Sequence, residues 1–228
     1  SRLDESIQKE YSANIHQKNI EFQMLQAQIN PHFLYNTLNV IGSIAELNGV
    51  DEIADITTNL SKMFRYNITQ KNFVKISAEI EQINNYLSIQ QTRFPGKIHV
   101  VFDIDESIYS YSIMKFSLQP FVENAIYHGI EPKGGGGSIL LRIKLEQSAL
   151  CVTIQDDGVG ISELRLMELN QSFAETIFHN HQQEQESIGI KNVHLRIKSY
   201  YGEPYGVQIS STVNKGTTVW IKMPAMEN

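Results

Sequence analysis

Apolar residues recur at three- and four-residue spacings through roughly the first 95 residues and then begin to alternate singly, so two regions of different periodicity follow one another along the chain. Residues 3–47 are rich in Gln, Glu, Ile and Leu, lack Gly until Gly42 and hold one Pro, which predicts a long helix. Pro31 removes a backbone hydrogen bond and clashes with the carbonyl of Ala27, so a kink is expected beside His32. Ile15, Phe22 and Ile29 recur every seven residues, with Lys18, Leu25 and His32 offset by three, and sketch a coiled-coil seam. Phe33, Leu34, Leu38 and Ile41 continue as a core face. Asn48 and Gly49 break the pattern, and Asp51 caps a second helix through Ile56, Leu60, Met63 and Phe64, giving an antiparallel hairpin. Ser77 is the expected cap of a third helix, which stops before Pro95 and Gly96.

Beyond that point residues 97–104 alternate as a strand, 114–130 read as an amphipathic helix, and 138–146 with 149–155 form a hairpin turned at Gln147 and Ser148. A polar stretch with a short helix follows, then a helix over 188–201 and two closing strands over 207–212 and 217–223. The fold class is a helical hairpin followed by an α/β sandwich, with helices on one face of a mostly antiparallel or mixed sheet. The boundary falls at residues 94–97, dividing the chain into 1–95 and 96–228.

Composition narrows the function. At 228 residues, 41% hydrophobic and 19% charged, the chain is an ordinary globular protein of one or two domains. A formal net charge of −6 argues against direct nucleic-acid binding. No apolar run reaches the ~20 residues of a membrane span, and residues 1–11 contain no signal-peptide core. Because the chain opens on Ser1 directly into a helical pattern, it reads as a piece of a longer protein. Cys151 stands alone in LCVTI, which excludes an internal disulfide and predicts a buried packing thiol in a reducing compartment. Glycines 134–137 lack the following lysine of a phosphate loop and read as a strand-entry loop.

Four short segments carry candidate chemistry. In QPFVENAIYHGI (residues 119–130) Asn124 and His128 are four apart on one helix face beside Glu123, a set suited to a hard cation such as Mg²⁺ or equally to a solvated face closed by Gly129. DDGVG (156–160) places Asp156 at a strand end, where a carboxylate can accept an exocyclic amine, with Gly158 and Gly160 allowing close approach, although an ordinary polar turn accounts for the motif equally well by itself. SIGIKNV (187–193) opens a helix with Gly189 in its first turn, where free N–H groups favour an anion. KGTTVWIKMP (215–224) sets Thr217 at the head of the last strand.

In their order these segments resemble the N, G1 and G2 boxes and terminal strand of the GHKL (Bergerat) ATP-binding fold, shared by histidine kinases, gyrase-type ATPases and Hsp90. QINPHFLYNTLN (28–39) resembles the phosphoacceptor motif of the LytS/YesM-like sensor histidine kinases. The resemblance implies ATP and Mg²⁺ as cofactors, with Asn124 as the metal ligand and Glu123 polarising water or orienting the metal. Asp156 would bind the adenine amine, Thr217 would support it, His128, Gly158, Gly160 and Gly189 would line the nucleotide site, and residues 161–187 would form a mobile lid. His32 would be the phosphoacceptor and Asn36, four residues on, would orient a water for dephosphorylation. A homodimer with a four-helix bundle, a response regulator receiver domain as partner, and a place on the cytoplasmic side of the bacterial membrane through segments preceding Ser1 are implied in the same way. His179 and His181 in the polar run read as solvated residues.

Some positions depart from the family pattern. Phe33 stands where an acidic residue often follows the acceptor histidine, Tyr127 where related boxes often carry lysine, and Ser187 where a glycine is usual. Two rival readings are a GHKL ATPase or serine kinase using the helices only to dimerise, and a catalytically silent dimeric ATP-binding scaffold. Label that survives His32→Gln would favour the first, and absence of Mg-ATP binding would remove the kinase reading.

Overall fold

A computed structural model describes residues 31–69, 71–174 and 188–227. The expected seam through Ile15, Lys18, Phe22, Leu25 and Ile29, the histidines 179 and 181 and the departure at Ser187 lie outside these residues. The chain divides into two compact units between Thr69 and Gln70.

The first unit is a hairpin of α1 (Pro31–Leu47) and α2 (Asp51–Ile68). Gly49, at φ 68°, makes the turn that the break at Asn48 and Gly49 predicts. Small residues form the contact between the helices: Gly42, Ala45, Ala54, Thr57 and Ser61 are buried. A Cβ on Gly42 would lie 2.8 Å from Oγ1 of Thr57, so glycine sets how closely the helices approach. The core face expected at Phe33, Leu34, Leu38 and Ile41 is not the hairpin's own core, since Phe33 is 65% exposed and Ile41 42%. Leu34 and Leu38 are half-buried, and the fully buried positions of the seam are the small ones.

The second unit is built on a five-stranded mixed sheet in the order β2-β4-β5-β7-β6, from β2 (Ile98–Ile104), β4 (Gly137–Glu146), β5 (Ala149–Asp156), β6 (Gly206–Thr212) and β7 (Gly216–Pro224). β2 and β4 are parallel and the other pairs antiparallel. Alternate residues of each strand, among them Leu141, Val152, Ile154, Ile209 and Ile221, are buried under helices on one face, as their period-two pattern dictates. Cys151 occupies the alternate set and is half-buried rather than buried, beside Lys222 across the ladder.

The first difference from the expected elements lies in the packing of the third helix, α3 (Ile76–Arg93), which is part of the second compact unit, beginning at Gln70. Its stripe of Ile76, Ile80, Ile83 and Leu87 is buried, and its Glu79 carboxylate accepts the backbone N–H groups of Phe116 (3.0 Å) and Leu118 (3.2 Å). Lys75, not Ser77, stands at its N-cap, where β1 (Phe73–Lys75) ends after pairing with β3 (Ser112–Met114). The second change is the helix expected over 114–130. Met114 closes β3, Phe116 turns the chain at φ 58°, and α4 (Gln119–Asn124) begins with Pro120 in its first turn before widening into a π-helical turn, Ala125–Ile130.

Candidate functional site

The site grows from the end of β5. Asp156, 7% exposed, turns its carboxylate Oδ1 to the backbone N–H groups of Gly158 (2.8 Å) and Thr217 (3.3 Å). Oδ2 has no hydrogen bond among the described residues. Burial pushes this carboxyl above the ordinary range, and the two N–H donors pull it partly back.

Glycines bring three backbones onto this carboxylate. A Cβ on Gly129 would lie 2.8 Å from Asp156 Oδ1, and one on Gly158 would lie 2.3 Å from the carbonyl carbon of Gly129. Gly216, at φ 102°, meets the Asp156 carbonyl so closely that no side chain fits. Gly158 is therefore a wall-packing residue and Gly129 far more than a helix cap.

Around Asp156 opens a cavity of about 300 Å³ that also brings together Asn124, His128, Gly160 and Thr217. Its apolar wall is Phe121, Leu169, Ile190, Ile209 and Val219. An apolar cavity with one buried acceptor fits an aromatic base carrying an exocyclic amine. The Thr217 hydroxyl lies 2.9 Å from Oγ of Ser211, which donates to the Gly216 carbonyl (2.9 Å) and accepts the N–H of Ile161 (2.8 Å). Ser211 has one proton and gives it to Gly216, so Thr217 donates to Ser211 and keeps its own lone pairs for a ligand or water.

Asn124 gives its Nδ2 to the Pro120 carbonyl at 2.6 Å, which leaves Oδ1 as the end able to meet a cation. Among the described residues no group of three or more His, Cys, Asp or Glu side chains could hold a metal by itself. A single amide oxygen fits Mg²⁺ that arrives with phosphate ligands and keeps waters. Glu123 does not line the cavity. It is half-buried, its Oε1 accepts Nε2 of Gln119 at 2.6 Å, and burial raises its carboxyl above the ordinary range. Gly189 is exposed with open space where a Cβ would stand.

In the first unit His32 is exposed near the start of α1, and Nδ2 of Asn36 lies 3.3 Å from its Nδ1. Arg65 of α2 donates to the Tyr35 hydroxyl and sits over the Tyr35 ring at 4.8 Å, bracing the helix beside His32. The segment expected to form a lid, residues 161–187, contains the helix α5 (Glu163–Ala174), anchored by buried Leu169 and Phe173, and residues 175–187 lie outside the described set. Sequence reasoning missed Gly129, Ser211 and Arg165. Gly129 carried a signal in its place directly after His128, but its contact with Asp156 joins the π-helical turn to the end of β5, segments distant in sequence.

Residues 20–98 match the family model described as histidine kinase, and residues 114–227 match that of the histidine kinase-, DNA gyrase B- and HSP90-like ATPases. The chain belongs to the histidine kinase family. It is 33% identical over 224 residues to the sensor histidine kinase YesM of Bacillus subtilis, covering 98% of this chain and 36% of that protein. It is 35% identical to the putative uncharacterized protein YwpD of the same organism, covering 96% of this chain and 75% of YwpD. It is 37% identical to the sensor histidine kinase YpdA of Escherichia coli, covering 80% of this chain and 31% of YpdA. The chain thus spans about a third of YesM and of YpdA. For a histidine kinase family member, the second unit is the GHKL α/β sandwich and its cavity is the feature on which a function can be built.

Proposed function

We propose that this chain is the catalytic and phosphoacceptor region of a sensor histidine kinase, which phosphorylates His32 from ATP. The carrying observation is the buried Asp156 carboxylate, which holds one oxygen free of protein donors on the wall of an apolar cavity rimmed by Asn124. Asp156 selects adenine by accepting its amine, and Phe121 and Ile209 supply apolar contact for the ring. Asn124 holds Mg²⁺ through Oδ1, the amide being oriented by Pro120. When bound, Mg²⁺ neutralises the phosphate oxygens.

His32 attacks the γ-phosphorus through a neutral imidazole nitrogen, the bond to the bridging oxygen breaks, and ADP leaves. Phosphoryl transfer depends mainly on positioning: attack falls to Nε2 with the proton on Nδ1, so the Asn36 amide, 3.3 Å from Nδ1, turns its oxygen to that N–H and fixes the imidazole, and the imidazolium formed gives the Nδ1 proton to water. The phosphoryl group then passes to an aspartate of a response regulator receiver domain, and Asn36 orients a water that hydrolyses the aspartyl phosphate there, releasing inorganic phosphate. The exposed apolar face of the hairpin, Val40, Ile44, Leu47 and Ile53, supports a homodimer closed as a four-helix bundle. The acidic balance of the chain supports protein partners over nucleic acid. Among the described residues no helix is long and apolar enough to cross a membrane, and the cytoplasmic face of a bacterial membrane is the proposed location. Incubation with γ-labelled Mg-ATP tests the reading: wild type takes up label and Asn124→Ala, which keeps the fold but lacks the metal-facing oxygen, does not. Equal labelling of the two contradicts it.

A further inference from the structure

Arg165 lines the same cavity and is the one Lys or Arg among the described residues that does so. The sequence offers few substitutes: from Phe116 to Gly160 the nearest lysine is Lys133, whose Nζ donates to the Asp157 carbonyl at 2.9 Å and pairs with its carboxylate at 3.3 Å. From Ile161 to Ile190 Arg165 is the sole Lys or Arg. Tyr127 is 53% exposed and brings no charge. The chain is acidic and the cavity already holds Asp156, so a triphosphate that keeps net negative charge even with one Mg²⁺ gains from a protein cation facing it.

Geometry puts Arg165 on the wall of this cavity. It stands four residues before Leu169 on α5, so the two share a helix face, and Leu169 is buried in the cavity's apolar wall. Its Nη1 currently pairs with Oε2 of Glu168 at 3.0 Å, one turn along the helix, with the side chains 38% and 54% exposed. An exposed pair at this spacing is weak, whereas a guanidinium can grip a phosphate through two parallel N–H groups.

We propose that Arg165 is the phosphate-recognising residue of this site, exchanging the Glu168 carboxylate for a phosphate oxygen of the bound nucleotide. The proposal rests on the nucleotide reading of the cavity and adds a residue to it. Glu168 then acts as a competitor that weakens nucleotide binding.

Calorimetric titration of the whole chain with adenosine, AMP, ADP and ATP in the presence of Mg²⁺ tests it. In wild type, affinity rises as phosphates are added. Arg165→Ala weakens ATP binding about tenfold while adenosine binding is unchanged, Arg165→Lys recovers part of the loss, and Glu168→Gln tightens ATP binding about twofold. ATP binding unaltered by Arg165→Ala overturns the proposal, and so does an equal loss of ATP and adenosine, which would make Arg165 a packing residue. A wild-type chain that binds none of the four ligands overturns the nucleotide reading itself, an outcome separate from a failed Arg165 variant that still binds adenosine.

Discussion

The side-chain amide nitrogen of Asn36 stands 3.3 Å from Nδ1 of His32, one helical turn further along the same exposed face. The residue after His32 is Phe33, so the neighbouring position supplies no carboxylate to hold the ring. A carboxamide offers both a donor and an acceptor and can steady either imidazole tautomer. Asn36→Ala is expected to lower the initial rate of phosphoryl incorporation about tenfold, the worth of one hydrogen bond in the transition state, and to leave the Kd for ATP unchanged. Single-turnover labelling beside equilibrium binding separates the two, and an unchanged rate would deny Asn36 this role.

Asp156 is held in the fold against its own ionisation. Its pKa is raised chiefly by burial, so the native state binds the proton more tightly than the unfolded chain. That contribution to stability is full below the ordinary carboxylate value and is lost as pH rises from about 4 through the raised native value. Asp156→Asn keeps an oxygen for Gly158 and Thr217 and removes the charge. Thermal melts should show the variant melting higher than wild type at neutral pH, with the gap closing as pH falls towards about 4. Its affinity for ATP should fall by about ten- to a hundredfold, because the acceptor for the amine becomes a donor. Lower stability at neutral pH would contradict this account of the carboxylate.

Gly158 stands so close to Gly129 that a methyl group would lie 2.3 Å from backbone carbon. Backbone cannot rotate aside as a side chain does. Gly158→Ala is expected to lower the thermal midpoint by about 5 °C, as overpacking by one methyl group commonly does, and to abolish measurable ATP binding. Gly189→Ala, with open space around it, should leave both unchanged in the same melting and titration experiments.

The apolar face of α1 calls for a partner. Ile44 is 55% exposed and Leu47 87%. Ile44→Glu should weaken self-association at least about tenfold in sedimentation equilibrium while α-helical circular dichroism is retained. A dimer of unaltered strength would place the interface elsewhere.

The sheet was legible because its strands alternate: Val152 and Ile154 point inward while Cys151 and Thr153 do not, and period two is visible in the residues themselves. Asn124, Asp156 and Thr217 were legible as short motifs, and they do meet on one cavity. The placement of α3 was not, because its stripe of Ile80, Ile83 and Leu87 would serve a bundle or a sandwich equally well, and the deciding contacts, Glu79 with the Phe116 and Leu118 amides, join distant segments. Nor was the widening of the helix after Asn124, since Ala125–Ile130 keeps an apolar period that an α-helix would share. In the hairpin, apolar spacing identified the helices but not which side meets the neighbour. Gly42 against Thr57 settles that, through size instead of hydrophobicity.

Whether His32 receives the phosphoryl group of ATP is read directly by incubating wild type and His32→Gln with γ-labelled Mg-ATP, followed by acid and by alkali. Phosphorus on an imidazole nitrogen is lost in acid and kept in alkali, so wild type should carry acid-labile, alkali-stable label and His32→Gln should carry none. Label that persists in His32→Gln, or that survives acid in the wild type, would contradict the account.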